Sequence, residues 1–60
     1  MNDINLHQVT NIKISEIKTL EKSNGDTFVV RHFIFESKDR GDFEVTAYGK
    51  DSSELHITFE

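Results

Sequence analysis

From Val9 onward the apolar residues recur in short runs broken by turn-forming clusters. Thr27 to Ser37 is dense in Phe, Val and Ile, with no strong helix former, and predicts a long strand. Asp42 to Gly49 alternates, with Phe43, Val45 and Ala47 set against Glu44, Thr46 and Tyr48. Leu55, Ile57 and Phe59 alternate in the same way with His56, Thr58 and Glu60. Both patterns predict strands with one apolar side. Val9 to Lys22 admits two readings. Ile14, Ile17 and Leu20 recur at helical spacing, which supports a helix packed on a three-stranded sheet. The β-branched Val9, Thr10, Ile12, Ile14, Ile17 and Thr19 favour a strand, as does the Asn24-Gly25 pair that follows. The expected fold is therefore all-β, a four-stranded antiparallel meander whose first segment is a strand. It forms a single domain over residues 1–60, with a frayed polar segment at 1–8.

The turns set an expected register. Asn24-Gly25 as a two-residue type I′ loop pairs residues whose numbers sum to 49, so Leu20 faces Val29 and Ile14 faces Phe35. Ile12, Ile14, Leu20, Val29, Phe33 and Phe35 then share one face. A second turn over Ser37–Gly41 adds Phe43, Val45 and Ala47, and the last strand adds Leu55, Ile57 and Phe59. Lys18 opposite Arg31 and Glu16 opposite Phe33 are poor pairs, which a β-bulge near Ser15–Ile17 would relieve. The other face should be solvated, yet it collects Ile17, Phe28, Val30, His32, Ile34, Tyr48 and His56. An apolar patch of that kind marks an interaction surface, and a homodimer is the first expected use of it. Replacing Val30 and Ile34 with Lys is expected to abolish association and leave the sheet folded.

Composition narrows the chemistry. The 60 residues contain no Cys, so neither a disulfide framework nor a Cys-based zinc site can form. A chain this short must bury nearly all of its 21 apolar side chains to offset the entropy of folding, which again favours self-association. No run is long enough to span a membrane, and Met1–Gln8 lacks the pattern of a signal peptide. The net charge is −4, with 7 basic and 11 acidic residues, against a duplex-DNA binder.

Catalytic and metal signatures are missing. His7, His32 and His56 lack metal-ligand spacing. In the expected register His32 and His56 flank Thr46, roughly 9–10 Å apart along the sheet, too far to share a zinc ion easily. No serine stands in a nucleophile elbow, and the turn carboxylates serve turn geometry. Neither a phosphate loop nor a calcium loop is present. The expectation is a protein that is not an enzyme and carries no cofactor. Phe28, Phe33, Phe35 and Tyr48 beside Lys18 and Arg31 supply the parts of a single-strand nucleic-acid sheet, the alternative function. The acidic residues around Asp39 are too interrupted by Lys38 and Arg40 to mimic a nucleic acid.

The Ile12-Lys13-Ile14-Ser15-Glu16-Ile17-Lys18 run, the Asn-Gly hairpin, Phe28-Val29-Val30-Arg31 and Asp42–Tyr48 followed by a terminal strand resemble the small all-β accessory proteins encoded by bacteriophages. That resemblance implies a cytoplasmic role in an infected bacterium, through contact with a host or viral macromolecule. No site residue follows from it.

Overall fold

A computed structural model describes all 60 residues, Met1–Glu60. Four strands form one antiparallel sheet and there is no helix: β1 (Val9–Ile14), β2 (Lys18–Glu21), β3 (Thr27–Ser37) and β4 (Phe43–Gly49). β3 lies at the centre. β1 and β2 follow one another along one of its edges, and β4 takes the other. The first segment is thus a strand, in two pieces.

The first hairpin departs from the expected turn. Only Gly25 has positive φ, 92°, whereas a type I′ turn needs positive φ at both central residues. The Asn24 side-chain oxygen instead accepts the Asp26 N–H at 3.0 Å. Gly25 N–H donates to the Lys22 carbonyl at 3.0 Å, and Lys22 N–H to the Asp26 carbonyl at 2.7 Å. The result is a three-residue loop, Ser23–Gly25, with Gly25 in the left-handed position of a G1-type bulge. Paired numbers therefore sum to 48 in β2, and Leu20 faces Phe28 rather than Val29.

A second one-residue shift follows. Along β1 the sum is 47: Ile14 faces Phe33 and Ile12 faces Phe35. Glu16 and Ile17 together stand opposite the single Arg31, the two-against-one arrangement of a β-bulge, at the place where the poor pairs called for one. Lys18 is moved opposite Val30. The two shifts add to two residues. Ile12 and Ile14 consequently keep their expected face, while Leu20 and Thr19 exchange faces. A further irregularity between Val9 and Asn11 leaves Val9 opposite Ser37, back on the face of Ile12.

The expected last strand differs most. β3 and β4 pair in the expected register, from Phe35–Phe43 to Val29–Gly49. Leu55–Glu60, expected as the last strand, is not in the sheet. Its departure has a local cause. The 50–54 turn is closed by Glu54 N–H to the Asp51 carbonyl at 3.0 Å and by Lys50 N–H to a Glu54 carboxylate oxygen at 2.5 Å. Leu55 then adopts φ 65°, which swings the chain off the edge of β4 and over the face of the sheet. There Leu55 Cγ and Val29 Cγ2 lie 3.0 Å from where a Cβ on Gly49 would stand. Only a glycine admits this approach.

Burial is thin. Val29 and Val30, 2% and 3% exposed, are the only fully buried residues. Leu55 and Ile57 are half-buried, whereas Phe59 is fully out in solvent. The accessible surface is 5258 Å² for a chain of 6.9 kDa, against about 4,000 Å² for a compact monomer of that mass. The Cα radius of gyration is 13.9 Å, where compact packing of this length gives about 10 Å. Gly49→Ala should destabilise the fold by about 1–2 kcal/mol in urea denaturation, because Val29 has nowhere to move. An unchanged midpoint would show that the terminal segment does not hold this position.

Candidate functional site

The alternation of side chains along paired strands sorts them onto two faces. One face carries Ile12 and Ile14 of β1, Val29, Phe33 and Phe35 of β3, and Phe43, Val45 and Ala47 of β4. The other carries Lys13, Lys18 and Leu20 with Phe28, Val30, His32, Ile34 and Glu36, then Glu44, Thr46 and Tyr48. The first is the apolar face and the second is mixed.

Arg31 belongs to the apolar face and divides it. Its Nε donates to the Ser15 carbonyl and its Nη1 to the Leu55 carbonyl, each at 2.9 Å. No carboxylate pairs with it; the carboxylate contacts of the molecule are Lys13–Glu36 and His32–Glu44. Ser15 is fully engaged around it: its N–H donates to the His32 carbonyl, its hydroxyl accepts the His32 N–H and donates to the Glu16 carbonyl, all at 2.9 Å. The guanidinium thus fastens the bulge on one side and the terminal segment on the other. Between Arg31 and the first hairpin, Leu55 covers Val29. Beyond Arg31, towards the second turn, the apolar face is open: Ile12, Ile14 and Phe43 are 54%, 39% and 43% exposed. Ile4, Leu6 and Val9 rise beside that end and complete a groove of about 420 Å³ lined only by apolar side chains.

Five residues of the expected interaction surface, Phe28, Val30, His32, Ile34 and Tyr48, share the mixed face. Ile17 lies in the bulge, half-buried, and His56 is exposed on the terminal segment, off the sheet. His32 and His56 therefore do not flank Thr46 on neighbouring strands. Within the mixed face, charge covers the apolar members. Lys13 and Glu44 stand on either side of Ile34. Lys13 Nζ reaches Glu36 at 3.1 Å, and His32 Nδ1 lies 2.9 Å from a Glu44 oxygen and 3.1 Å from the Thr46 hydroxyl. Val30 sits in a row between Lys18 and Tyr48 and is buried. Lysine at Val30 would consequently test folding rather than association.

The electrostatics are those of a solvated surface. Glu36 is held below its ordinary value of 4.5, first by the hydrogen bond from the Asn11 amide at 2.9 Å and then by Lys13. Asp51 is lowered by the Ser53 hydroxyl and backbone N–H in its turn. No three His, Asp or Glu side chains gather as a metal set. No helix is long and apolar enough to cross a membrane. The open half of the apolar face was missed by sequence reading, because its residues were assigned to a covered core. The signal was available: one four-stranded layer has two faces, and a single layer cannot cover both. Compared with family models, curated proteins and solved structures, the chain matches none.

Val30→Lys should abolish the sheet signal in circular dichroism, since a lone charge at a buried site lacks any partner; a folded variant would mean that Val30 is readily uncovered. Asn11→Ala should raise the Glu36 pKa towards its ordinary value in an NMR titration. A depressed carboxylate stabilises the fold above its unfolded pKa, and the contribution disappears as pH falls through the folded value. β1–β3 pairing should therefore weaken at the acid end of that titration, and less steeply in the variant.

Proposed function

We propose that the protein is a non-catalytic interaction module that acts by protein–protein contact through the open half of its apolar face. The observation that carries this reading is the exposure of Ile12, Ile14 and Phe43 around an all-apolar groove. Soluble monomers rarely leave a contiguous patch of this kind uncovered, and those that do use it for binding. Catalysis has no comparable support: Ser37, His7 and Asp42 line one hollow, but no hydrogen bond joins them, and the Ser37 hydroxyl instead accepts the Arg40 N–H. The resemblance to phage accessory proteins supports a setting for this contact in the cytoplasm of an infected bacterium.

A lysine at Ile12 tests the reading. Ile12 is more than half exposed, so Ile12→Lys should keep the sheet. In cross-linking of tagged protein within a bacterial lysate, wild type should give adducts, with itself or with another protein, that this variant loses. Adducts indifferent to Ile12→Lys, or none, would refute the reading.

One arrangement supports single-stranded nucleic acid as a second reading. The Phe28 and Tyr48 rings lie 6.2 Å apart at 31°, and Lys22 and Lys50 line the same shallow hollow with Glu54. An exposed aromatic between lysines can stack a base and hold its phosphate. Arg31 is not part of it, being tied to carbonyls. Oligonucleotide binding that is lost in salt and weakened by Tyr48→Ala would favour this reading. No binding at low salt would dismiss it.

A further inference from the structure

The open half of the apolar face suits a second copy of this chain by its exposed apolar residues and its lack of charge. We infer that two copies stack these faces about a twofold axis into a two-layer β-sandwich; the inference rests on the reading of that face as a protein contact.

Area is the first argument. The chain exposes about 1,250 Å² more than a compact monomer of its mass. Part of this excess lies on the irregular terminal segments and part on the sheet. A standard interface removes about 800 Å² from each partner, and permanent homodimers remove more. The part of that excess on the sheet, with Ile12, Ile14 and Phe43 exposed around the groove, is the area a face-to-face dimer would cover. Two sheets about 10 Å apart also supply the second layer that a single sheet lacks.

Charge is the second. Two copies carry −4 each, so close approach is costly unless the carboxylates stay away from the contact. On the open half, Ile12, Ile14, Phe33, Phe35, Phe43 and Val45 form the surface with no ionised group among them. Glu36 and Glu44 point to the mixed face, and Asp51 and Glu54 lie in the turn at the far end. The hollow that continues the groove at the second turn includes one charge of each sign, Arg40 and Asp42. A twofold axis can set each against its opposite in the other copy. A face without charge is complementary to itself, whereas a foreign acidic or basic partner would gain nothing from it.

The free edge of β4 offers a rival mode of pairing. Leu55–Glu60 does not cover that edge, and another β4 could bond to it. Edge pairing, however, joins backbones and leaves the groove between Ile12 and Phe43 as open as before. It does not account for the apolar area. Ile12 also separates the two modes, because β1 lies on the far side of β3 from β4.

Sedimentation equilibrium of the purified chain tests the inference. Wild type should reach twice the 6.9 kDa mass of one chain by about 100 μM. Ile12→Lys should raise the dissociation constant about a hundredfold or more, since it buries two unpaired charges at the contact. Tyr48→Lys, on the mixed face, should remain dimeric. If Ile12→Lys fails to fold, a dilution series of wild type read by NMR serves instead. Signals of Ile12, Ile14 and Val45 should shift with dilution while those of Ile34 stay fixed. A wild-type monomer throughout would overturn the dimer, yet leave the broader reading intact if lysate adducts still depend on Ile12. A dimer indifferent to Ile12→Lys, or dilution shifts confined to the outer edge of β4, would overturn it in favour of edge pairing.

Discussion

Every ladder in the sheet has β3 as one of its two sides. β1, β2 and β4 bond to it and to no other strand, so the sheet holds together only as far as β3 stays extended and satisfied. At its centre Arg31 ties down what the ladders do not reach, the bulge through the Ser15 carbonyl and the terminal segment through that of Leu55. A guanidinium can do this because its donors diverge in a fixed plane, and lysine could not span both carbonyls in the same way. The two buried residues, Val29 and Val30, adjoin Arg31 in sequence and point to opposite faces. The tightest packing and the central tie therefore coincide.

The rest of the molecule is organised by what this spine leaves uncovered. Twenty backbone hydrogen bonds serve 60 residues. Compact domains reach about one hydrogen bond per residue, some two-thirds of them between backbone groups, so this count is low. The deficit and the excess of exposed surface have the same origin. A single layer cannot enclose the side chains of both faces. The mixed face resolves this with polar side chains set over its apolar members, Lys13–Glu36 and His32–Glu44 beside Ile34. The apolar face resolves it at the Val29 end with Leu55. For the other end the chain supplies only Ile4, Leu6 and Val9 at one side of a groove.

Strand content, the central run of β3 and the β3–β4 register were legible in the sequence because alternation is a local signal and the Ser37–Gly41 turn fixes its offset. The Asn-Gly loop was misread by one residue. The choice between a two- and a three-residue loop depends on whether the Asn24 side chain captures the Asp26 N–H, which composition does not reveal. The bulge was anticipated from the clash of Lys18 with Arg31, although its place opposite Arg31 followed only from hydrogen bonds to Ser15. Leu55–Phe59 has a strand pattern and forms none. Its first two apolar members, Leu55 and Ile57, are half-buried off the sheet, while Phe59 lies in solvent, so the alternation alone does not fix an edge strand.

Three places each displace the pairing by a single residue: the Ser23–Gly25 loop, the Glu16–Ile17 bulge and the step between Val9 and Asn11. Since side chains alternate with a period of two, each displacement decides which of them look towards the groove and which towards water. The chain is thus a counting device read from the hairpin backwards. Its descendants could exchange many side chains at these places and keep the same shape. Losing one residue from the bulge would turn Ile12 and Ile14 over together, and a compensating gain elsewhere on the strand would be needed to turn them back. Over evolutionary time, inherited insertions and deletions between Val9 and Gly25 should therefore arrive in matched pairs, even where substitution is free.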